Sequence, residues 1–397
     1  MNFNFLRWAD EVFGPIIARF LFIVGFAVGR SRKLSTPLQP ETIKKILILK
    51  FFGGGSILLA SPTIYRIKEA RPDVHISIIT LSENKEICEL LTPIDNISCL
   101  DLKTPFLFLL KYLRLIREIK NKNYDVIVDL EFITNFSALT TLLISLISKP
   151  CTTIGFSSPS RWRNKVYSIA IPFDHSRHIT GIFGKLFSPL IGKSFNVDFK
   201  ASKRDLLAAA EFSPLTTTLL ETDSEVSKIV CININAGKLC LLRRWPQENY
   251  VELILGLYHR FGIKTVLVGG KEDISYANEF TVKLPNNIDT LNFCGKLSIK
   301  ELIGLFSKSR LLITNDSGPL HIASIVGLPT VSFFGPETPY LYGPLGSEHH
   351  VFYEDIFCSP CINIYNAKAS GCNNNICLKS IGPKSVIKTI EEKKFLP

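Results

Sequence analysis

The sequence predicts an α/β protein built from two Rossmann-like units, and three features carry that prediction. At 397 residues the chain is long enough for two substantial cores. It contains continuous apolar runs, among them Lys45–Phe51, Thr265–Val268 and Leu311–Thr314, of the kind that form strands buried on both faces of a parallel sheet. Each run ends in a glycine-rich or polar turn followed by a helical pattern, which is the order of a βα unit.

Composition narrows the function. Apolar residues make up 46% of the chain, which excludes disorder. A formal charge of +11, from 46 Lys and Arg against 35 Asp and Glu, favours acidic partners: anionic lipid, phosphorylated sugars or nucleic acid. Basic and aromatic residues are not densely interleaved and no DNA-binding motif is present, so no nucleic-acid partner is expected. Six of the ten cysteines (Cys88, Cys99, Cys151, Cys231, Cys240 and Cys294) have no framework spacing and read as small buried hydrophobes in a reduced, cytoplasmic chain.

Taken in order, residues 1–33 place Arg7, Asp10, Glu11, Gly14 and Ala18 at helical spacing, with apolar residues around the remaining surface. The apolar run Phe20–Val28 then leads into Arg30, Arg32 and Lys33. Pro15 and Arg19 interrupt a stretch that would otherwise approach the roughly 20 residues of a membrane span. The expectation is a helix lying in an anionic membrane surface, with a span or a helix packed on the protein as alternatives. Residues 35–42 read as a linker. The strand Lys45–Phe51 follows, then Gly53-Gly54-Gly55-Ser56 and a helix ending near Pro72, with Ser56 the expected cap. Glycines in that turn, Gly54 and Gly55 among them, admit a close neighbour or ligand.

A strand at Val74–Thr80 and helices at Glu83–Leu91 and Phe106–Lys120 come next. The strand Tyr124–Glu131 carries Asp129 and Glu131 on one face of its carboxyl end. Residues 160–180 are basic and aromatic, and the guanidinium groups of Arg161 and Arg163 suit a phosphorylated or acidic ligand, an exposed loop being the alternative. Residues 188–205 read as the crossing to the second unit, which opens with a helix at Asp205–Glu211 and a strand at Lys228–Ile234. The turn Asn235-Ala-Gly237-Lys238 and the run Arg243-Arg244-Trp245-Pro246 precede the helix Glu248–Arg260. Thr265–Val268 ends in Gly269-Gly270-Lys271-Glu272-Asp273.

The densest motif is Leu311-Leu-Ile-Thr-Asn315-Asp316-Ser317-Gly318-Pro-Leu-His321-Ile-Ala. It puts Asp316, Ser317 and Gly318 where a strand ends and a helix begins, the place where open α/β sheets bind ligands. Free N–H groups and the helix dipole there favour phosphate. Asp316 would repel phosphate, so it takes a sugar hydroxyl or organises the turn; a simple helix cap is the alternative. The tail carries Cys358-x2-Cys361-x10-Cys372-x4-Cys377, four cysteines that are zinc candidates on spacing alone. A helix at Lys384–Lys394 closes the chain.

Asn315–Ala323, with Gly327-Leu-Pro-Thr330 and Phe334-Gly-Pro-Glu-Thr-Pro339, resembles the signature of glycosyltransferase family 9, which includes the heptosyltransferases of lipopolysaccharide core assembly. The resemblance implies GT-B architecture: two Rossmann-like domains with an inter-domain cleft, acceptor on the first, where Gly54, Gly55, Arg161 and Arg163 would meet it, and nucleotide sugar mainly on the second. Expected boundaries are a membrane-associating segment and linker at 1–40, an acceptor domain at 41–195, a nucleotide-sugar domain at 196–382, and a helix at 383–397 returning to the first domain. The implied activity is metal-independent, inverting transfer of a sugar, heptose by family default, from a nucleotide diphosphate to a lipid-linked saccharide. It would occur at the cytoplasmic face of the bacterial inner membrane, with no cofactor beyond the nucleotide sugar as co-substrate. Gly237, Lys238, Arg243, Glu272, Asp316, Ser317, Gly318 and His321 would bind the donor, Arg243 meeting the diphosphate (Arg244 in reserve) and Glu272 the ribose or base region. Family members carry an aspartate as base directly after the glycine of the first turn, where this chain has Ser56. Glu131 is therefore the expected base, with Asp129 and Asp101 in reserve. A hexose transferase of the same fold and a catalytically silent subunit of a glycan-assembly complex are the alternatives.

Overall fold

The computed structural model describes residues 3–27, 38–102, 104–132, 134–191, 198–222, 229–237, 240–346, 348–364, 366 and 369–396. The chain divides into two compact units, residues 1–201 and 202–397. The division falls six residues beyond the expected boundary at 195, and residues 192–197, within the expected crossing, lie outside the described part.

The first unit comprises α1 (Phe3–Ala27), β1 (Lys45–Leu49), α2 (Gly54–Ala70), β2 (His75–Leu81), α3 (Lys85–Glu89), β3 (Asn96–Leu100), α4 (Pro105–Lys122), β4 (Val126–Asp129), α5 (Asn135–Ile147), β5 (Thr152–Phe156), α6 (Arg161–Asn164), β6 (Ile169–Ile171) and α7 (Ile179–Ile191). Its six strands are all parallel, in the order β3-β2-β1-β4-β5-β6. The strand order reverses between β1 and β4, which makes that edge the topological switch point. Leu47 and Leu49 of β1 meet Leu115, Ile116 and Ile119 of α4 and Ile144 of α5 in one core. Gly53 sits at φ +79, a conformation that glycine adopts without strain, and so turns β1 into α2.

Helix α1 packs along α5. A side chain at Gly14 would run into Asn135, and one at Gly25 into Leu146, while Ala18 between them is fully buried. Positions 14, 18 and 25 share one helical face, so small residues there let the two backbones approach. Asp10 caps α5, its carboxylate accepting from the N–H groups of Asn135 and Phe136, each at 2.7 Å. Trp8, Val12, Phe13, Ile16, Ile17, Phe20, Ile23 and Phe26 of α1 are exposed. No helix among the described residues is long and apolar enough to cross a membrane.

The second unit comprises α8 (Lys200–Ala208), whose first two residues precede the division, α9 (Pro214–Thr222), β7 (Ile229–Asn233), α10 (Gln247–Phe261), β8 (Lys264–Leu267), α11 (Ile274–Thr281), β9 (Thr290–Asn292), α12 (Ile299–Lys308), β10 (Leu311–Asn315), α13 (Gly318–Val326), β11 (Thr330–Phe334), α14 (Pro339–Tyr342), β12 (His349–Tyr353), α15 (Ile376–Lys379) and α16 (Pro383–Glu392). Its parallel sheet runs β12-β11-β10-β7-β8-β9. Counted from β7, this is the strand order of the first sheet, and the switch point lies between β7 and β10. Trp245 is fully buried and stacks on Phe333 at 4.3 Å, so it is a core residue and not a surface staple.

Two expectations are corrected here. The opening helix is Lys200–Ala208, not Asp205–Glu211. The closing helix α16, expected to return to the first domain, buries Val386, Ile387 and Ile390 in the core of the second unit. Gly256 of α10 leaves the space that Ile387 fills.

Candidate functional site

At the switch point of the second unit, three asparagines fasten the strand-end loops together. Thr314 pairs in register with Asn233. Asn233 Nδ2 donates to Thr314 Oγ1 at 3.1 Å and to Ser317 Oγ at 2.8 Å, and Asn233 Oδ1 accepts from the Asn235 N–H at 3.1 Å. Asn315 Oδ1 accepts from the Trp245 N–H at 2.9 Å, while its Nδ2 donates to the Asn235 carbonyl at 3.0 Å. All three are buried, and the side-chain bonds of Asn233 and Asn315 fix the loops, while Asn235 Nδ2 donates to the Val268 carbonyl at 3.3 Å. Sequence reading missed them. Asn233 and Asn235 alternate at period two across a strand end, a signal that would have placed them on one face.

Those loops bring Arg243 and Asp316 together, which were expected in one site but not as partners. Arg243 Nη1 lies 3.0 Å from Asp316 Oδ2, with side chains 12% and 6% exposed. Arg243 Nε donates to the Cys240 carbonyl at 3.4 Å, and among the described residues Nη2 makes no hydrogen bond. Burial opposes the Arg243 charge, but Asp316 outweighs it and the guanidinium pKa is raised. Gly237 stands beside Nη2, where a Cβ would lie 3.4 Å from it. Ser317 is the residue before α13, and the space above Gly318 is open. His321 is buried on the first turn of α13.

Other donor candidates are placed differently. Glu272 is exposed, its carboxylate over Gly270, while its neighbour Asp273 accepts from the Gly270 N–H at 3.0 Å. Arg244 stacks over Tyr276, 3.8 Å from the ring centre, with Asp273 at 3.8 Å. Lys238 lies outside the described residues.

At the strand ends of the first unit, Lys50, Asp129 and Glu131 are buried. Glu131 is 1% exposed. Its Oε1 accepts from the N–H groups of Phe51 and Phe52 at 2.9 and 2.7 Å and pairs with Lys50 Nζ at 3.0 Å. A general base must reach the acceptor hydroxyl, and this carboxylate instead holds the turn between β1 and α2. Glu131, the expected base, thus anchors that turn through Oε1. Asp129 is sealed as well: its Oδ2 accepts from the Tyr167 hydroxyl at 2.7 Å and its Oδ1 from the Glu131 N–H at 2.9 Å. Burial pushes its carboxyl up to about 6 against the pull of Arg163 and Tyr167.

Arg163 was expected to meet an acceptor, but it is buried and donates to the Phe132 and Glu131 carbonyls. The side chain of Arg161 lies outside the described residues. Ser56 is the third residue of α2, and the helix is preceded by Gly53 without a side-chain cap, so Ser56 does not cap it. Gly54 makes room for Ile87, and Gly55 is half-buried beside it. Among the described residues no group of three or more His, Cys, Asp or Glu is arranged to hold a metal ion. Burial, with Cys361, Cys358 and Cys372 nearby, pushes the Cys377 thiol up to about 11.

Two parallel sheets of this order, the second with an arginine–aspartate pair at its switch point, define a two-Rossmann-domain protein of GT-B type. The model of glycosyltransferase family 9 (heptosyltransferase) matches residues 112–369, and the chain belongs to that family. It is 28% identical to lipooligosaccharide heptosyltransferase 2 of Campylobacter jejuni over 38% of this chain and 46% of the relative, so the match spans about half that relative's length. It is 25% identical to the lipopolysaccharide core heptosyltransferase OpsX of Haemophilus influenzae over 79% of this chain and 86% of the relative. The structure of the E. coli ADP-heptose LPS heptosyltransferase II superposes with a TM-score of 0.64 at 17% identity, covering 88% of this chain and 98% of that one.

Proposed function

We propose that the protein transfers heptose from a nucleotide-diphosphate donor, of the ADP-heptose class named for the E. coli structure, to the saccharide core of a lipopolysaccharide. The observation that carries this reading is the Arg243–Asp316 pair. Asp316 aims the guanidinium and leaves Nη2 beside Gly237, available to a diphosphate. Arg243, the start of α13 and Lys238 then stabilise the departing diphosphate, a role that needs fixed positive charge and that they fill without a divalent ion. Asp316 and Ser317 place the sugar, and Glu272 reaches the ribose or base region. Attack by the acceptor hydroxyl in a single displacement inverts the anomeric centre. The acceptor meets the turn at Gly54, Gly55 and Ser56, and the protein works at the cytoplasmic face of the inner membrane, held there by residues 1–33.

The test is transfer itself. Purified protein, ADP-heptose and a heptose-deficient lipopolysaccharide should give a product heavier by one heptose in mass spectrometry, with turnover unchanged by EDTA. Transfer from a hexose donor alone would favour the hexose reading. No transfer from any donor would favour the silent subunit, a reading supported by Ser56 in the base position and by the commitment of Glu131 to the turn.

A further inference from the structure

Residues of α1 and of the α6 segment line an open groove of about 650 Å³, within the size range of small-ligand pockets. Arg19 and Lys165 line it, together with Ser160, Trp162, Phe22 and Ile23. Both cations are exposed, and among the described residues neither has an ion pair or a side-chain hydrogen bond. Asp10, on the same helix, does not neutralise them, because its carboxylate is spent on the backbone of α5. The groove thus combines two uncompensated cations, a hydroxyl and an indole with apolar walls, a chemistry suited to a phosphodiester carried on a lipid.

Its setting points the same way. The outer face of α1 leaves Ile16, Phe20, Ile23 and Phe26 exposed, Phe26 at 77%. Helix α4 likewise exposes Phe106, Leu107, Leu110 and Leu113. Both helices pack on α5. Lys111 lies among these exposed apolar residues of α4, and Arg114 and Arg117 follow them, all three exposed. Large exposed apolar faces edged by basic residues are the signature of a helix lying at a bilayer interface.

We infer that the α1–α6 groove seats the phosphodiester headgroup of an anionic bilayer phospholipid, while the outer faces of α1 and α4 lie in the interfacial layer. This rests on the membrane-surface reading of residues 1–33 and adds to it a headgroup site and a second contact helix. It is independent of the donor chemistry.

Flotation of the full chain with phosphatidylcholine vesicles, with and without phosphatidylglycerol, tests it. The wild type should float with the anionic vesicles, and Arg19→Gln/Lys165→Gln should weaken that partitioning about thirty-fold, the effect of two cations near such a surface. Lys308→Gln/Lys388→Gln removes the same charge from the second unit and should change it less than threefold. Leu110→Asp should also weaken binding, by way of α4. In a Trp8→Phe background, a headgroup spin label on the vesicles should quench Trp162. ADP binding and a thermal melt confirm that each variant folds.

Equal losses in the two double variants would overturn the headgroup site in favour of diffuse attraction. Equal flotation on neutral vesicles would do the same, and no flotation at all would overturn the membrane reading with it. Perturbation of Trp162 fluorescence by inorganic phosphate as strong as that by vesicles would make the groove a free-phosphate site. Concentration-dependent dimers abolished by Leu110→Asp would assign the apolar face to a second copy.

Discussion

The switch points of the two sheets each carry a 3.0 Å ion pair, Lys50–Glu131 in the first unit and Arg243–Asp316 in the second. In the first, both partners are sealed, and the carboxylate oxygen that meets Lys50 also takes two backbone N–H groups. In the second, the carboxylate orients a guanidinium that keeps one nitrogen without a partner among the described residues. One strand order therefore supports opposite uses of charge. A buried pair bonded to backbone fixes a loop, whereas a partly exposed pair with an unspent donor can recognise an anion. The difference shows why a carboxylate at a strand end is not by itself a catalytic candidate.

Breaking the sealed pair should have the largest effect. Glu131→Ala would leave Lys50 buried without a counter-charge and two turn N–H groups without their acceptor, so stability should fall by about 3–5 kcal/mol. Urea titration measures this. A protein that keeps its stability but loses turnover by about 10²–10⁴-fold would restore Glu131 as the base.

Asp129 tests the same internalised cluster through pH. Its folded carboxyl titrates at about 6, above the unfolded value, so the folded state holds more protons between roughly pH 4 and 6 and stability falls as pH rises through that window. Asp129→Asn removes this contribution. Its stability relative to wild type should therefore rise by roughly 2 kcal/mol between pH 4 and pH 7. Urea titrations at the two pH values that give a constant difference would contradict the sealed environment. The smallest effect belongs to Ser56→Ala. With no cap bond to lose, it should shift stability by less than about 0.5 kcal/mol, and a large drop in turnover would return Ser56 to the chemistry.

Much of this architecture was legible in the sequence because it is local. The apolar runs, the glycine turn after β1 and the Asn315–Gly318 strand end mark where strands stop and helices start. The fates of the charged residues were not legible. Glu131 meets Phe51 and Phe52 across about 80 residues, Arg163 meets Glu131 across 32, and Arg243 meets Asp316 across 73. No periodicity reports such pairings. Glu131 and Arg163 are buried against backbone groups that their own segments do not reveal, and α16 sits on α10 because Gly256 leaves space for Ile387, a complementarity that the separate helices do not announce.

The central claim is that the second unit holds the donor diphosphate through Arg243 as oriented by Asp316. Calorimetric titration of ADP into the wild type and Arg243→Ala tests it most directly. Removing one charge-assisted contact should weaken binding by about 2 kcal/mol, roughly thirty-fold, with the melt of the variant showing a folded protein. Unchanged ADP affinity in folded Arg243→Ala would contradict the account.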